Sequence, residues 1–340
     1  MEGDKRHMVI VTPGFPHHES DTTCLPFLQD LIKGLKANWM ISIITEDYPV
    51  KAAYEWHGLP VYTLRNLKVV GKVSARFKVA STLQHIHENK RIDLVQVFWY
   101  NWAALKANSW CIKNNIHMVL TFAGREPLLP SLWVKRFHAL RAYTIAVSEF
   151  QKEHLTQSGY CVDQVIEWSV PSQPTSNNKE IDLLWCGSML PVKRPEWFLQ
   201  IVEKLRHTGW KGKAVMIGED QDLKWRKEVE RRGLETVIEC TGLVPLQQVY
   251  NYMQRSKVFV HTAAYEAYGR VLAEALANKC AIVSTPVGLA YDHSAIYTAS
   301  SVNGLVEGCL KGLEGRLQPS PIERGSMPEE QYNTLYKRLL

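Results

Sequence analysis

The stretch VFVHTAAYEAYGRVLAEALANKCAIVST, residues 258–285, contains the pattern that decides the fold. Two short runs of β-branched and apolar residues, 258–262 and 281–285, flank a run that has helical periodicity. In that central run the apolar residues 271, 272, 275 and 276 fall on one helical face. A strand, a helix and a second strand in this order are typical of a parallel sheet covered by helices.

The same alternation of short apolar runs and helical patterns extends over most of the chain, on both sides of the polar stretch PSQPTSNNKE (171–180). We therefore predict an α/β protein with two Rossmann-like, doubly wound parallel-sheet domains that face a cleft. The predicted parts are an N-terminal domain (1–170), a linker (171–180), a C-terminal domain (181–325) and a terminal helix (326–340). The apolar runs are 8–12, 41–45, 94–98, 117–122 and 144–148, followed by 181–187, 214–218, 237–240, 258–262 and 281–285.

The terminal helix carries its own start signal. Ser326 and Glu329 have the spacing of a capping box, and Pro328 suits the first helical turn. We expect this helix to be well formed, and it could cross back to the N-terminal domain. Residues 300–325 are predicted to form a short helix followed by a loop.

Composition excludes several classes of protein. The 340 residues include 40 Lys and Arg against 34 Asp and Glu, a net charge of +6 that is too small for a nucleic-acid-binding protein. Seven scattered cysteines without a C-x-x-C pair disfavour a disulfide framework or zinc site and indicate a reducing compartment. The N-terminus has no apolar core of a signal peptide, and no apolar run approaches about 18 residues. We therefore expect a cytoplasmic protein.

Two carboxylates surround the start of the helix in the opening stretch. The helix is predicted to begin at about Arg270, after Gly269, and its first amide N–H groups can bind a phosphate. Glu274, near that end, could accept two hydrogen bonds from a vicinal diol such as ribose, and Glu266 would face what lies beyond the phosphates. The alternative is that Glu274 is a solvated helix residue and Glu266 a turn residue.

A second loop offers fixed positive charge. A buried strand ends at Gly187, Lys193 and Arg194 follow, and Pro195 opens an amphipathic helix. Two cations ahead of a helix start form an anion site, although Lys-Arg pairs on loops are usually only solvated. Both loops follow strands of the same half, so we expect them to open on the same edge of the sheet.

Together these segments resemble the retaining glycosyltransferases of family 4, which have the two-domain GT-B fold. The resemblance rests on the order of Gly187 to Lys193, MIGED (216–220) and residues 239–288. In the N-terminal half it rests on residues 12–35, 93–102 and 143–155. It covers most of the chain, and residues 258–288 are its most specific part.

The resemblance implies a role for particular residues. Members of the family retain anomeric configuration and need no metal, so we expect no cofactor and a nucleotide sugar, UDP- or GDP-linked, as donor. The catalytic candidates are Glu266, Lys193 and Arg194. The donor-binding candidates are Gly187, Ser188, Tyr268, Gly269, Arg270, Val271 and Glu274, with Asp21 and Thr22 from the first loop. The acceptor candidates are His17, His18, Trp99, Gly124 and Arg125.

Three positions depart from the family pattern. Ser188 stands where relatives often have arginine. The first loop, 16–24, lacks paired glycines, so Asp21, Thr22 and Thr23 would have to cap the following helix and offer its amides. Ala123 stands where many relatives have histidine. These departures keep open a non-catalytic or donor-weakened saccharide-binding protein, and the fold also suits a sugar-nucleotide epimerase.

Other segments resemble functional motifs but can also be explained as solvated surface. DQD (220–222) imitates a metal-binding motif but lies in a turn, so we expect no metal.

Residues 65–91 hold seven Lys and Arg among apolar residues, which suits either an anionic membrane surface or an ordinary amphipathic helix. With a membrane the acceptor could be a lipid-linked saccharide and the protein peripheral at the inner face. The expected activity is sugar transfer in cell-surface polysaccharide or glycolipid synthesis. No dinucleotide motif G-x-G-x-x-G follows the first strand, which disfavours a dehydrogenase.

Overall fold

A computed structural model describes residues 5–22, 24–65, 72–168, 170, 178–319 and 327–340, with the backbone alone for 72–77. The chain forms two compact units: the N-terminal unit, residues 1–168 with 325–340, and the C-terminal unit, residues 169–324. The predicted linker begins two residues after this division, and its residues 171–177 lie outside the described part of the chain. Both units are α/β with sheets that are almost entirely parallel, as predicted.

The N-terminal unit is built on an eight-stranded sheet with the order β3-β4-β2-β1-β5-β6-β7-β8, in which only β3 and β4 pair antiparallel. The central strands β1 and β5 are buried along nearly their whole length, as expected for strands covered by helices on both faces. The elements are β1 (His7–Gly14), α1 (Pro26–Leu35), β2 (Met40–Tyr48), β3 (Tyr54–Trp56), β4 (Leu59–Thr63), α2 (Lys72–Asn89), β5 (Leu94–Phe98), α3 (Trp102–Asn114), β6 (His117–Thr121), α4 (Ser131–Phe137), β7 (Tyr143–Ala146), α5 (Glu149–Gln157) and β8 (Gln164–Val165).

The C-terminal unit has a six-stranded parallel sheet with the order β11-β10-β9-β12-β13-β14. From β9 the chain first winds outward to β11, then crosses to β12 and winds the other way. The neighbours β9 and β12 therefore form a topological switch point, where open α/β sheets bind ligands beyond the strand ends. The elements are β9 (Ile181–Cys186), α6 (Pro195–His207), β10 (Ala214–Ile217), α7 (Lys224–Arg231), β11 (Ile238–Gly242), α8 (Leu246–Gln254), β12 (Ser256–His261), α9 (Arg270–Ala277), β13 (Ala281–Ser284), β14 (Ile296–Thr298) and α10 (Val302–Leu313).

The helices beside the switch point form where the sequence predicts them. In α6, Pro195 occupies the first turn, and the apolar face of Phe198, Ile201, Val202 and Leu205 is buried in the core of the unit. In α9 the helix begins at Arg270, and Leu272 and Leu276 are buried. Each helix follows the carboxyl end of its strand, α6 after β9 and α9 after β12, so both helix starts lie at that edge of the sheet.

The C-terminal helix α11 (Pro328–Leu339) packs in the N-terminal unit. Its start differs from the prediction: the Glu330 carboxylate accepts from the Met327 amide at 3.3 Å, and Glu329 instead packs against Gly34. Ser326 lies outside the described residues. Because Pro328 takes the first helical position, the residue three places into the helix is Glu330, and the predicted Ser326–Glu329 box is displaced by one residue.

Two buried tyrosines of α11 bond to side chains of the sheet. The Tyr336 hydroxyl donates to Gln96 Oε1 at 2.8 Å, and the Tyr332 hydroxyl lies 3.0 Å from Thr121 Oγ1. Gln96 Nε2 in turn donates to Thr121 Oγ1 at 3.1 Å. All four side chains are fully buried, so the network holds the helix in one position on the sheet.

We expect Tyr336→Phe to lower the free energy of unfolding by about 1–3 kcal/mol, because Gln96 Oε1 would lose its donor while remaining buried. Chemical denaturation measures the change. In the double variant with Gln96→Leu the loss should be partly recovered, since the buried Oε1 acceptor is removed as well and Thr121 Oγ1 keeps Tyr332 as a partner. Equal or greater loss in the double variant would show that the bond is not what Tyr336 contributes.

Candidate functional site

The two loops beyond β9 and β12 are bonded to each other. The Ala264 amide donates to the carbonyl of Val192 at 2.7 Å. Thr262 Oγ1 donates to the carbonyls of Lys193 and Arg194 at 2.7 and 3.0 Å and accepts from the Trp185 indole at 2.9 Å. The loops thus meet at one edge of the sheet because their strands are neighbours.

Lys193 and Glu266 form an ion pair at this edge. Lys193 Nζ donates to Glu266 Oε1, and the two side chains are only 24% and 15% exposed. Burial raises the pKa of Glu266, but the hydrogen bond from His261 and the charge of Lys193 outweigh it and bring the pKa to about 2. The carboxylate is therefore ionised at neutral pH and is held between two partners.

His261, the last residue of β12, was not singled out from the sequence. Its Nδ1 lies 3.0 Å from Ser284 Oγ, and its Nε2 lies 3.3 Å from Glu266 Oε1. Ser284 Oγ donates its one proton to the carbonyl of Thr285 at 2.7 Å, so it accepts from Nδ1. His261 therefore links Glu266 to Ser284 at the ends of β12 and β13.

Because the ionised Glu266 is bonded to two partners, we expect it to stabilise the fold at every pH above its ordinary pKa of 4.5. The folded pKa of about 2 lies below the ordinary 4.5, so this contribution is present above 4.5 and is lost as pH falls towards 2. At pH 7, Glu266→Gln should lower the free energy of unfolding by roughly 1–3 kcal/mol. The difference from the wild type should shrink between about pH 4.5 and 2, measured by denaturation at each pH.

The matched control is Glu239→Gln, which removes a carboxylate from the more exposed pair with Lys213. Its effect at pH 7 should stay below about 1 kcal/mol, as for surface ion pairs. A difference between wild type and Glu266→Gln that is independent of pH would contradict the assignment of a depressed pKa to Glu266.

The start of α9 adjoins this pair. Gly269 precedes the helix with a left-handed φ of 79°, a conformation that glycine adopts without strain. Tyr268, the residue before it, is 1% exposed, so its ring packs inside the unit. Val271 is half-buried in the first turn. A phosphate site made by backbone amides at this helix start stays a prediction.

Glu274 is buried, at 6% exposure, and its Oε1 accepts from Arg270 Nε at 2.8 Å. Arg270 therefore orients this carboxylate within the helix. Burial, and after it the charge of Glu274, raise the pKa of the nearby Cys186 thiol to about 12, against the opposing charge of Lys193. Glu274 and Lys193 thus both lie close to the end of β9.

The Arg194 side chain points to Trp197 and not to Glu266. Its backbone has a left-handed φ of 48°, and its guanidinium lies over the Trp197 ring at 4.4 Å from the ring centroid. Gly187, at the strand end, donates its amide to Ile217 at 3.0 Å, and Ser188 follows it in the same loop. A Cβ on Gly187 would lie 4.0 Å from Lys193 Cγ, which places this glycine beside the ion pair.

Gly288 is a second site residue that the sequence did not single out. It has a φ of 54°, and a Cβ built there would lie 2.7 Å from the carbonyl carbon of Tyr268 and 3.2 Å from Glu266 Cβ. The neighbouring Leu289 amide donates to the Tyr268 carbonyl at 2.7 Å. The turn after β13 therefore supports the loop that carries Glu266.

In the N-terminal unit the first loop does not cap α1. The residue before that helix is Leu25, with a left-handed φ of 49°, and no side chain caps it. Asp21 instead accepts from the amides of His17 and Cys24 at 3.2 and 3.3 Å, and so shapes the loop itself. The predicted capping by Asp21 and Thr22 is wrong because Pro26 opens the helix, leaving Asp21 a full turn away. His17, His18 and Thr22 are exposed, and Thr23 lies outside the described residues.

The loop after β6 is organised by Glu126, which was not among the residues predicted from the sequence. Its carboxylate is 3% exposed and accepts from the amides of Gly124, Ala123 and Tyr100 at 2.8, 3.2 and 3.4 Å. Burial raises its pKa, and these bonds oppose the rise. Trp99, with a φ of 67°, lies against Gly124, where a Cβ would come within 2.9 Å of the indole. Arg125 is exposed.

The DQD motif has a structural role. The Asp220 carboxylate accepts from the Trp225 and Arg226 amides at 2.9 Å each and thereby caps α7. Among the residues that the structure describes, no group of three or more His, Cys, Asp or Glu side chains could hold a metal ion. Within the same residues, no helix is both long and apolar enough to cross a membrane.

Comparison with known proteins identifies a related family. Residues 180–314 match the family described as "Glycosyl transferases group 1". The phosphatidylinositol N-acetylglucosaminyltransferase GPI3 subunit of Saccharomyces cerevisiae (strain YJM789) is 23% identical over 155 residues, with 42% of this chain and 34% of that protein covered. The chain thus spans about a third of the length of the curated relatives it matches.

Solved structures resemble the whole chain. The lipopolysaccharide outer core galactosyltransferase WaaB superposes with a TM-score of 0.73 at 15% identity, covering 98% of this chain and 100% of that one. WaaG, a glycosyltransferase involved in lipopolysaccharide biosynthesis, has a TM-score of 0.65 at 14% identity, with 97% and 95% covered. The fold is GT-B, and the resemblance to GT-B glycosyltransferases is confirmed.

Proposed function

We propose that the protein is a retaining glycosyltransferase that moves a sugar from a UDP- or GDP-sugar to a saccharide or lipid-linked saccharide. The observation that carries this proposal is the buried Lys193–Glu266–His261 cluster beside the start of α9, at the switch point between β9 and β12. A cation, a helix start and two carboxylates at one sheet edge match the parts of a sugar nucleotide. The match of residues 180–314 to group 1 glycosyltransferases supports it.

In this proposal each group meets one part of the donor. The amides at Gly269 and Arg270 and the ammonium of Lys193 bind the diphosphate, where negative charge grows as the sugar leaves. Glu274, oriented by Arg270, accepts from the ribose hydroxyls. Glu266, held by His261, accepts from a hydroxyl of the sugar. Fixed positive charge supplies the stabilisation for which other transferases use a metal, so the proposal includes neither metal nor cofactor.

The chemical step is then a displacement on one face of the sugar. The bond from the anomeric carbon to the phosphate oxygen breaks, and a bond to the acceptor oxygen forms on the same face. The acceptor proton passes to the departing phosphate oxygen, which becomes basic as the bond breaks. We assign acceptor binding to the N-terminal unit, where Glu126 shapes the loop of Gly124 and Trp99.

The relatives favour a place in glycan or glycolipid synthesis. GPI3 is described as a phosphatidylinositol N-acetylglucosaminyltransferase subunit, and WaaB as a lipopolysaccharide galactosyltransferase. Both names describe transfer to a lipid-linked acceptor. We extend this acceptor class to the present chain as part of the proposal, with the protein in the cytoplasm or peripheral at the inner membrane face.

Thermal unfolding with UDP, GDP and their sugars tests donor binding. A ligand at about 100 times its dissociation constant adds roughly 2.7 kcal/mol to the stability, so one nucleotide series should raise the melting temperature clearly. NMR of the product should then show the donor's anomeric configuration. If no nucleotide shifts the melting temperature, the transferase proposal fails.

Ser188 and Ala123 keep a second candidate, a saccharide-binding protein without transfer activity. It predicts saccharide binding that survives Lys193→Ala and Glu266→Ala together, with no turnover of any sugar nucleotide. An epimerase would instead release an epimerised donor, and sugar on an acceptor without such a product would exclude it.

A further inference from the structure

The N-terminal sheet has a topological switch point of its own, between β1 and β5. From β1 the chain winds outward through β2 to β4 and β3, then crosses to β5 and winds the other way to β8. Open α/β sheets bind ligands in the crevice beyond the carboxyl ends of the two strands at such a point. Trp99 is the first residue after β5, and its side chain is partly exposed. A large aromatic ring therefore lies where the fold favours a ligand.

The backbone of Trp99 is left-handed, with a φ of 67°. Glycine adopts this conformation freely, whereas a residue with a Cβ is strained in it. A bulky side chain at such a φ is a genuine outlier, and outliers of this kind persist mainly at ligand and active sites, where the surroundings hold them. A tryptophan at a position that suits glycine therefore indicates that the ring itself has a use.

Trp99 is held in this conformation through the two residues that follow it. The Tyr100 amide donates to the Glu126 carboxylate at 3.4 Å. Asn101 donates from Nδ2 to Glu46 Oε1 at 2.8 Å, and its Oδ1 accepts from the first amides of α3. Glu46 and Glu126 are 4% and 3% exposed, so both carboxylates are fixed parts of the unit. The surroundings therefore determine the strained backbone from two sides.

The indole ring of Trp99 is positioned by two neighbours. A Cβ on Gly124 would come within 2.9 Å of the ring atoms Cδ1 and Nε1, so a side chain there would push the ring aside. Phe27, in the first turn of α1, has its ring centroid 6.0 Å from that of Trp99 and is itself stacked on Trp168 at 3.6 Å. Among the residues that the structure describes, the indole N–H of Trp99 meets no hydrogen-bond acceptor. The ring is thus fixed in place while its N–H stays available to a ligand.

We propose that Trp99 is a platform on which one pyranose ring of the saccharide acceptor stacks, with Gly124 as a positioning residue. The proposal rests on the proposed function, since it takes the saccharide to be the acceptor. The C–H groups of a sugar carry partial positive charge and the aromatic face partial negative charge, so an apolar sugar face packs on the ring. The indole N–H then donates to a hydroxyl of the same sugar. The acceptor class is a pyranose with at least one face free of axial oxygen, as in the gluco and galacto configurations.

Saccharide binding without any nucleotide tests the platform separately from transfer. Methyl β-D-glucopyranoside and methyl β-D-galactopyranoside are expected to bind the full chain at millimolar concentrations, followed by saturation-transfer NMR. Methyl α-D-mannopyranoside, with an axial oxygen on each face, should bind more weakly than either. Trp99→Gly should weaken binding of the first two about tenfold, because the ring is lost while the backbone becomes unstrained. Trp99→Phe keeps an aromatic face and should lose less, and Gly124→Ala should lose binding by displacing the ring.

Transfer kinetics add a measurement that a merely structural role would not move. Once a donor is identified, Trp99→Gly and Gly124→Ala should raise the KM for the acceptor about tenfold and leave the KM for the donor within about twofold. A failure of the transferase proposal leaves the binding experiment unchanged, because no nucleotide enters it.

The matched control is Trp102→Ala. Trp102 is 37% exposed, but the Arg136 guanidinium lies over its ring at 4.5 Å from the centroid, so this variant should bind the glycosides as the wild type does. The proposal is overturned if the wild type binds none of the glycosides, if Trp99→Gly binds them unchanged, or if Trp102→Ala loses as much binding. Loss of nucleotide binding in Trp99→Gly with glycoside binding intact would assign the ring to a nucleobase and equally overturn it.

Discussion

Replacing Lys193 with alanine is expected to lower the rate constant for sugar transfer by about 10²- to 10³-fold, the typical cost of removing one fixed donor from a site where charge develops. Lys193 is the cation that bonds Glu266, and its side chain is three-quarters buried. In such a site solvent screens its charge poorly, so water would not replace the lost ammonium at equal strength. Single-turnover kinetics with the donor identified by thermal unfolding measure the change.

Two further variants make this result specific. Lys204→Ala, on the exposed side of α6, should leave the rate within about twofold, as expected for a surface substitution. Arg194→Ala should cost less than Lys193→Ala, because the Arg194 guanidinium lies over Trp197. Loss of transfer by Arg194→Ala equal to that of Lys193→Ala would show that Arg194 leaves Trp197 to meet the donor. An unchanged rate in Lys193→Ala would remove the site from the proposed mechanism.

The sequence predicted the two loops but not their contact. Strand periodicity located β9 and β12, and the glycine and proline positions located the starts of α6 and α9. That Lys193 bonds Glu266 depends on β9 and β12 being neighbours in the sheet. Strand order follows from how the whole unit packs, and a local pattern does not contain it.

His261 was missed for a related reason. Its partner Ser284 lies opposite it in the register of β12 and β13, 23 residues further along the chain. Within its own strand, His261 is simply the last residue of an apolar run, and no local pattern marks it as a site residue. Glu126 was detectable in principle, since it is the one acidic residue between 94 and 148. Its burial, however, comes from the meeting of three strand ends.

The predicted caps of α1 and α11 were both wrong, and both helices begin with a proline. At α1 and at α11 a proline takes the first helical turn, and the residue before it is Leu25 or Met327 rather than a polar cap. Proline suits the first helical position because its φ is already set for a helix and its missing N–H would have no partner within the helix. A polar residue several places upstream, such as Asp21, is then available to shape the loop instead.

Gly288→Ala is expected to reduce both stability and transfer, because its Cβ would press on the loop that carries Glu266. The added carbon would lie 2.7 Å from the Tyr268 carbonyl carbon and 3.2 Å from Glu266 Cβ. Both neighbours are parts of one loop whose Tyr268 ring is buried, so the backbone has little room to give. Overpacking of this kind costs about 1–3 kcal/mol, and the left-handed φ of 54° adds about 1 kcal/mol.

The control variant Gly233→Ala separates the cost of overpacking from the cost of the left-handed φ. Gly233 has a similar φ of 64°, but a Cβ there would meet nothing within 4 Å, so this variant carries only the backbone strain. We expect Gly233→Ala to lose about 1 kcal/mol and no activity, and Gly288→Ala to lose more stability and about 10²-fold in transfer rate, since a shift of about 1 Å at a reacting group has that effect. Equal losses of stability in the two variants, with transfer intact in both, would mean that the turn after β13 does not position Glu266. A loss of transfer in Gly288→Ala alone would instead place this glycine among the residues that hold the carboxylate in its working position.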